Sequence, residues 1–265
     1  MPNAMLSTLK DAAQIPGLLK EVYGDLARPG VVQVGKALNA VLGLGNTILW
    51  PVILLNEKAK IALERNLNKY REQLEKVPQE KVAEVPPEIG VPIAEKLAYV
   101  NDEQLSDLYI NLLASASTID YAHIAHPSFV NIINNLSPDE ALLLQYIKDV
   151  LPFIEARYED NDGSGYKAAG RLLTGLEQNV KLYFPQNIVA YLSNYEGLGL
   201  INIRDDMHLT DPTFYDELER VYRPKYEQEE YDKSVAKLTF QKGLINLTPF
   251  GQMFISACLK KLDPS

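Results

Sequence analysis

Hydrophobic and polar positions repeat along most of this chain with the helical period rather than the alternation of strands. Residues 5–23 are weakly amphipathic, and residues 37–55 follow as the most apolar stretch, 19 positions without a charge. Residues 56–76 form a polar helix with Ile61, Leu63, Leu67, Tyr70 and Leu74 available for packing. Pro78, Pro86, Pro87 and Pro92 then interrupt the pattern; closely spaced prolines stop helices and favour an extended path, so this stretch reads as a joint. A helix is predicted from about Glu88 to Tyr99. The next is capped by Asn101 with Gln104 in the reciprocal position. Its apolar face runs through Leu105, Leu108, Tyr109, Leu112, Leu113 and Ala116. Pro127 starts a short helix carrying Phe129, Val130, Ile132 and Ile133. Ser137, Pro138 and Glu140 spell a capping box for another, which is apolar on most sides through Ile154 and is therefore expected to be central.

The last third changes character. A helix over Gln186–Gly197 ends at the glycines of "EGLGL", and a short β stretch, "LINI", follows. An acidic, tyrosine-rich helix is predicted after Asp211 and Pro212. Leu238 and Phe240 alternate with polar neighbours; Lys242-Gly243 reads as a turn, Leu244–Leu247 as the returning strand, and Thr248-Pro249 as a helix start. Helix, helix and a two-stranded wing resemble a winged-helix module.

Composition narrows this picture. The chain has 265 residues, 46% hydrophobic and 23% charged, the profile of a globular protein with room for a sizeable core. Cys258 is the only cysteine and sits in an apolar run, which excludes an intramolecular disulfide and suits a reducing cytoplasm. The N-terminus shows no basic region followed by an apolar core of the secretory type. Charge is uneven: residues 1–76 hold 10 Lys+Arg and 7 Asp+Glu, net +3, and residues 77–265 hold 16 and 28, net −12. An acidic body argues against general nucleic-acid binding, which needs cations for phosphates. The uncharged run approaches the roughly 20 apolar residues of a membrane span, but Asn39, Asn46, Thr47, Gly43, Gly45 and Pro51 break it. A buried hairpin, or a face that packs against another copy, is the commoner use of such a segment.

Candidate chemistry is sparse. Asp120, His123 and His126 share a short stretch, but His126 precedes Pro127 and is pushed out of helical geometry, no Glu completes a zinc-protease pattern, and no cysteine is near. His126 is expected instead to cap the Phe129 helix or to bond to a neighbouring loop. Asp160, Asp162, Ser164 and Gly165 match the first half of a calcium loop, but Arg171 stands where the bidentate Glu belongs. The same glycines spell Gly163-x-Gly165-x-x-Ala168, a dinucleotide-type pattern with a predicted helix where a strand should precede it. A flexible polar loop between helices is the expectation. The candidate recognition helix Gln186–Gly197 holds no Lys or Arg, and Lys237 and Lys242 on the wing are too few for DNA. No nucleophile elbow is present. The late tyrosines, Tyr183 to Tyr231, suit either an interface or the core.

Several phrases carry a family resemblance: "GNTILWPVILLNEKAK", "PPEIGVPIAEKLAYVNDEQLSDLYINLLASA", "AHPSFVNIINNLSPDEALLL" and "GLINLTPFGQMFISACL". They resemble the bacterial abortive-infection alpha (Abi-alpha) family, from about Gly35 to Leu262. The resemblance implies a role in defence against phage, in which the infected cell stops growing or dies. It supplies no catalytic residues.

The expected fold is mainly α: a helical bundle with a C-terminal winged-helix-like part carrying a small β-hairpin. It divides into an N-terminal helical region (1–76), a helical body (77–136) and the winged-helix-like part with its acidic insertion (137–265). The expected function is non-enzymatic phage defence through self-association or a protein partner, in the cytoplasm, with no cofactor and no metal. The alternatives are a membrane-acting effector that inserts residues 37–55 and a winged-helix DNA-binding regulator. The candidate interaction or membrane surface is Leu42, Leu44, Ile48, Leu49, Trp50, Val52, Ile53 and Leu54.

Overall fold

The computed structural model describes residues 36–37, 56–229 and 231–262, and these fall into two compact units: the described residues up to 141 together with those from 253, and the described residues between 142 and 252. The candidate surface from Leu42 to Leu54 lies outside the described residues.

The first unit is helical. Helix α1 spans Glu57–Leu74 and starts at Asn56, whose Oδ1 accepts the N–H groups of Lys58 and Ala59. Leu63, Leu67, Tyr70 and Leu74 are buried as the periodicity predicts, whereas Ile61 is exposed. Helix α2 spans Pro87–Leu97 and α3 spans Glu103–Ala116. The cap of α3 is Asp102, whose Oδ1 accepts the Leu105 N–H at 3.0 Å, rather than Asn101. The carboxylate one residue later meets the first free amides and adds a charge suited to the helix N-terminus. Every residue from Leu108 to Ala116 is buried, so α3 is the central helix of this unit. Helix α4 covers Ser128–Asn134, and α5 covers Pro138–Leu143. The capping box at α5 forms: the Ser137 N–H donates to Glu140 Oε2 at 2.7 Å, and the Glu140 N–H to Ser137 Oγ at 3.3 Å.

Buried polar side chains tie these helices together. Asn66 donates to the Leu97 carbonyl at 2.7 Å, Gln73 to Asn111 at 2.7 Å, and Tyr70 bonds Ser117 at 2.6 Å. At the chain's end, Asn111 donates to the Cys258 carbonyl (2.8 Å) and Ser115 to the Ala257 carbonyl (3.0 Å). The last carbonyls of a helix lack intrahelical partners, and these side chains satisfy them. Cys258 is fully buried, and burial pushes its thiol well above its ordinary value, which leaves it packing material rather than a nucleophile.

The second unit overturns the mainly-α expectation. It is built on a four-stranded antiparallel sheet that curls into a half-barrel, order β2-β1-β4-β3, with β1 Val150–Asp160, β2 Tyr166–Leu173, β3 Ile201–Arg204 and β4 Ala236–Leu247. The fold is therefore mixed α and β, not a bundle with a small wing. Three segments of the chain account for the difference. The apolar run after Leu143 leaves the helix and enters β1; a short apolar run suits a buried strand as well as a helix, and Pro152 could not continue a helix anyway. Pro152 is tolerated in β1 because β2 pairing begins only at Ile154. Residues 161–165 are the turn of the β1–β2 hairpin, not a loop between helices. Lys242-Gly243 is not a turn: β4 runs straight through it, pairing with β1 from Ala236 to Asn246 and with β3 from Leu244 to Leu247. Gly243 lies under the Phe153 ring, where a Cβ would come within 2.3 Å of Cζ, so the glycine marks close packing rather than a bend. Without a hairpin there, no wing exists and the winged-helix reading falls.

Helix α6 is the short Leu176–Asn179, and α7 is Ile188–Gly197. Helix α8, Thr213–Gln228, lays Tyr215, Leu218, Tyr222 and Tyr226 over Ile154, Ala156 and Leu173 of the sheet. Their spacing of i, i+3, i+7 and i+11 is one helical stripe. Burying a large apolar side chain contributes roughly 1.5–3 kcal/mol, so this stripe is a main source of the unit's cohesion. Gly170 exists for it: a Cβ there would meet Tyr226 Oη at 2.0 Å. On the opposite face, which also buries Phe153, Arg157 Nε lies 2.7 Å from Glu155 and its guanidinium lies 4.1 Å over the Tyr166 ring. Helix α9 spans Pro249–Cys258, and Thr248 caps it by accepting the Gly251 N–H at 2.8 Å.

Candidate functional site

The α8 stripe that faces the sheet fixes what the rest of that helix can do. One position before Tyr215 is Phe214, and Val221 lies seven residues after Phe214 on the same side. These two form a second apolar stripe that faces the first residues of β1 across an open groove. They line a groove of about 700 Å³ inside the second unit. Its other walls are the approach to β1, with Tyr146, Val150 and Leu151, and the turn leading into α6. Tyr146, Val150, Phe214 and Val221 are 40–50% exposed, four of the thirteen large hydrophobic side chains exposed among the described residues. An exposed cluster of this kind marks an interaction surface more often than single scattered residues do.

The groove wall is held rigidly. Tyr222, on the buried stripe of α8, accepts the Gly175 N–H at 2.9 Å and donates to Glu177. Burial, and then the Glu177 carboxylate, push the Tyr222 hydroxyl above its ordinary value. Gly175 has φ +77°, a left-handed conformation that glycine adopts without strain. Lys148 and Glu217 are the charged residues of the lining, and no His, Cys, Ser or Asp lines it. The arrangement offers apolar surface with a thin polar rim, which is the anatomy of a binding face.

The first unit holds a smaller concavity, about 350 Å³, between the turn after α3 and the end of α9. Asp120 and His123 reach it; Lys260, Lys261 and Ser256 close it. The Asp120 carboxylate is engaged by Lys81 at 2.8 Å, a pair that raises the Lys81 ammonium above its ordinary value. His126 stands at the start of α4, where its Nδ1 accepts the Ser128 N–H at 3.2 Å, as expected of a helix-start residue. The histidines therefore serve different places. Among the described residues no group of three or more His, Cys, Asp or Glu is gathered in metal-binding geometry.

The remaining sequence candidates resolve as follows. In the β1–β2 turn, Ser164 donates its N–H to Asp162 Oδ1 (2.9 Å) and its hydroxyl to Asp160 Oδ2 (3.1 Å). The Ser164 hydroxyl and then its N–H hold the Asp162 carboxyl below its usual range, which accounts for the motif as turn chemistry. Lys242 lies 5.2 Å from the Tyr215 ring centroid, and Lys237 lies 4.0 Å from Glu159, so both are occupied within the sheet. Of the late tyrosines, Tyr191, Tyr195, Tyr215, Tyr222 and Tyr226 are buried and Tyr183 is exposed. The groove residues Tyr146, Val150, Phe214 and Val221 were not singled out from the sequence. The signal was available in part: a charged helix with two apolar stripes has one more than a single sheet can cover.

The family model described as abortive infection alpha matches residues 62–258, and the chain belongs to this family. No curated protein and no solved structure matches it.

Proposed function

We propose that this abortive infection alpha protein acts in defence against phage by binding a protein partner in the apolar groove of its second unit. The family supports the defence role. The groove supports the mode of action: Tyr146, Val150, Phe214 and Val221 are presented together on a surface where their exposure has no folding purpose. Residues 142–252 hold 12 Lys+Arg against 17 Asp+Glu, net −5, although the groove lining itself holds one charge of each sign, Lys148 and Glu217. The partner segment that fits carries apolar anchors flanked by Lys or Arg, because complementary charge steers encounter and fixes register. The reading assigns the protein no catalytic step and no cofactor.

The alternatives have less behind them. The DNA-binding reading depended on a wing that does not exist. Among the described residues no helix is long and apolar enough to cross a membrane, and the run 37–55 lies outside them.

The test is plating efficiency of phage on cells that express the protein or its Phe214→Ser, Val221→Ser double variant. Both side chains are about half exposed, so the variant should keep its thermal midpoint, since surface substitutions usually cost within about 0.5 kcal/mol. Protection is expected to fall to that of cells without the protein. Full protection by a folded double variant would sink the proposal. Sedimentation of the same pair identifies a second copy as the occupant if an oligomer becomes a monomer.

A further inference from the structure

The smaller concavity holds a charge imbalance that the fold does not explain. In a chain of net charge −9, it gathers Lys260, Lys261 and His123 around about 350 Å³. The side chains of all three have no ion-pair or hydrogen-bond partner among the described residues. The one acid in the lining, Asp120, is already engaged by Lys81 at 2.8 Å. Lys260, Lys261 and His123 are exposed, so water screens the mutual repulsion of the two ammonium groups, and an anion held between them would offset what remains. The ordinary use of lysines at a helix end is to satisfy the last carbonyls. Here the Ala257 and Cys258 carbonyls are taken by Ser115 and Asn111, so the lysines are not needed for that. The Ser256 hydroxyl is a further donor on the wall with no partner among the described residues.

We propose that this concavity binds a phosphate group, free or as a small monoester. Its double negative charge matches Lys260 and Lys261, and His123 and Ser256 supply directed donors to the remaining oxygens. The volume is near the lower end of small-molecule sites, roughly 300–1,000 Å³, which admits one phosphate with a group of about mononucleotide size. This site is independent of the groove and of the partner proposed for it.

The test is calorimetric titration of the full chain at low ionic strength with inorganic phosphate and, separately, with adenosine monophosphate. Saturable one-to-one binding of at least one probe is expected. The Lys260→Ala, Lys261→Ala double variant should weaken it about tenfold or more, as loss of charge-assisted hydrogen bonds implies. Lys148→Ala, in the other concavity, should leave it unchanged. Single Lys260→Gln and Ser256→Ala variants provide smaller losses should the double variant be unstable. Binding of phosphate alone identifies the free ion as ligand; tighter binding of the nucleotide identifies an organic phosphate. No saturable binding of either probe, or full binding by the double variant, overturns the proposal and leaves the groove reading untouched.

Discussion

The two units bury polar groups in opposite ways. In the first, short amides and hydroxyls predominate, with Tyr70 as the partner of Ser117: Asn66, Asn111, Ser115 and Ser117 lie inside the helical core and bond backbone carbonyls. In the second, long tyrosines do it. Tyr215 donates to the Gly243 carbonyl at 3.1 Å and accepts the Leu209 N–H at 2.9 Å; Tyr158 donates to the Tyr226 carbonyl at 2.8 Å. The difference follows from geometry. Helices packed side by side leave gaps that a short side chain spans, whereas a helix across a sheet stands about 10 Å from it and needs a ring to fill the distance and a hydroxyl to reach backbone.

If that contrast holds, Tyr215→Ala is the most damaging single change. It removes a fully buried ring and two hydrogen bonds, and the expected loss is about 3–5 kcal/mol, read from denaturant unfolding. Hydrogen exchange should show the loss concentrated in residues 142–252; an equal loss in both units would dissolve the distinction. Asn111→Leu comes next. It orphans the Cys258 carbonyl and the Gln73 amide, at about 1–3 kcal/mol, with exchange rising in α3 and at the end of α9.

Alkaline pH probes both units at once. Burial raises the Tyr70 hydroxyl in the first, and burial with Glu177 raises Tyr222 in the second, above the ordinary value of 10.0. Below that pH both states keep the proton and the stabilisation is complete. Above it the unfolded chain loses the proton first, so stability falls as pH rises past about 10. Tyr70→Phe and Tyr222→Phe should each flatten this fall, measured as the slope of unfolding free energy from pH 9 to 11; a parent-like slope in both would show that other groups control it. The smallest effect belongs to Ser137→Ala. Loss of the capping box should cost about 0.5–2 kcal/mol, seen as a modest drop in thermal midpoint, and no change at all would mean Glu140 holds the helix start alone.

The helical half of the protein was largely legible. Leu63, Leu67, Tyr70 and Leu74 point inward as their spacing requires, and Ser137 with Glu140 closes the box that the sequence spells. The cap at Asp102 was displaced by one residue because Asn101 and Asp102 are both good caps and only the path of the chain selects between them. The second unit was legible in its helices near 186–197 and after Pro212 and in the short strand at 201–204, but not in its sheet. Residues 142–154 are apolar with either period, and Gly243 looks like a turn until the Phe153 ring is seen lying on it. The groove was half visible as a second stripe on α8; Tyr146 and Val150, far away in sequence, gave no sign of joining it.

The sequence by itself determined the family, the helical frame of the first unit and the stripe by which α8 attaches, because caps and periodicity act through neighbours within a turn or two of the chain. Only the tertiary structure decided that β1 and β4 pair across some ninety residues, that two glycines give way to aromatic rings, and that Lys260, Lys261 and His123 line one concavity. Those outcomes depend on pairings between distant segments, whose energies compare whole alternative folds and leave no local mark.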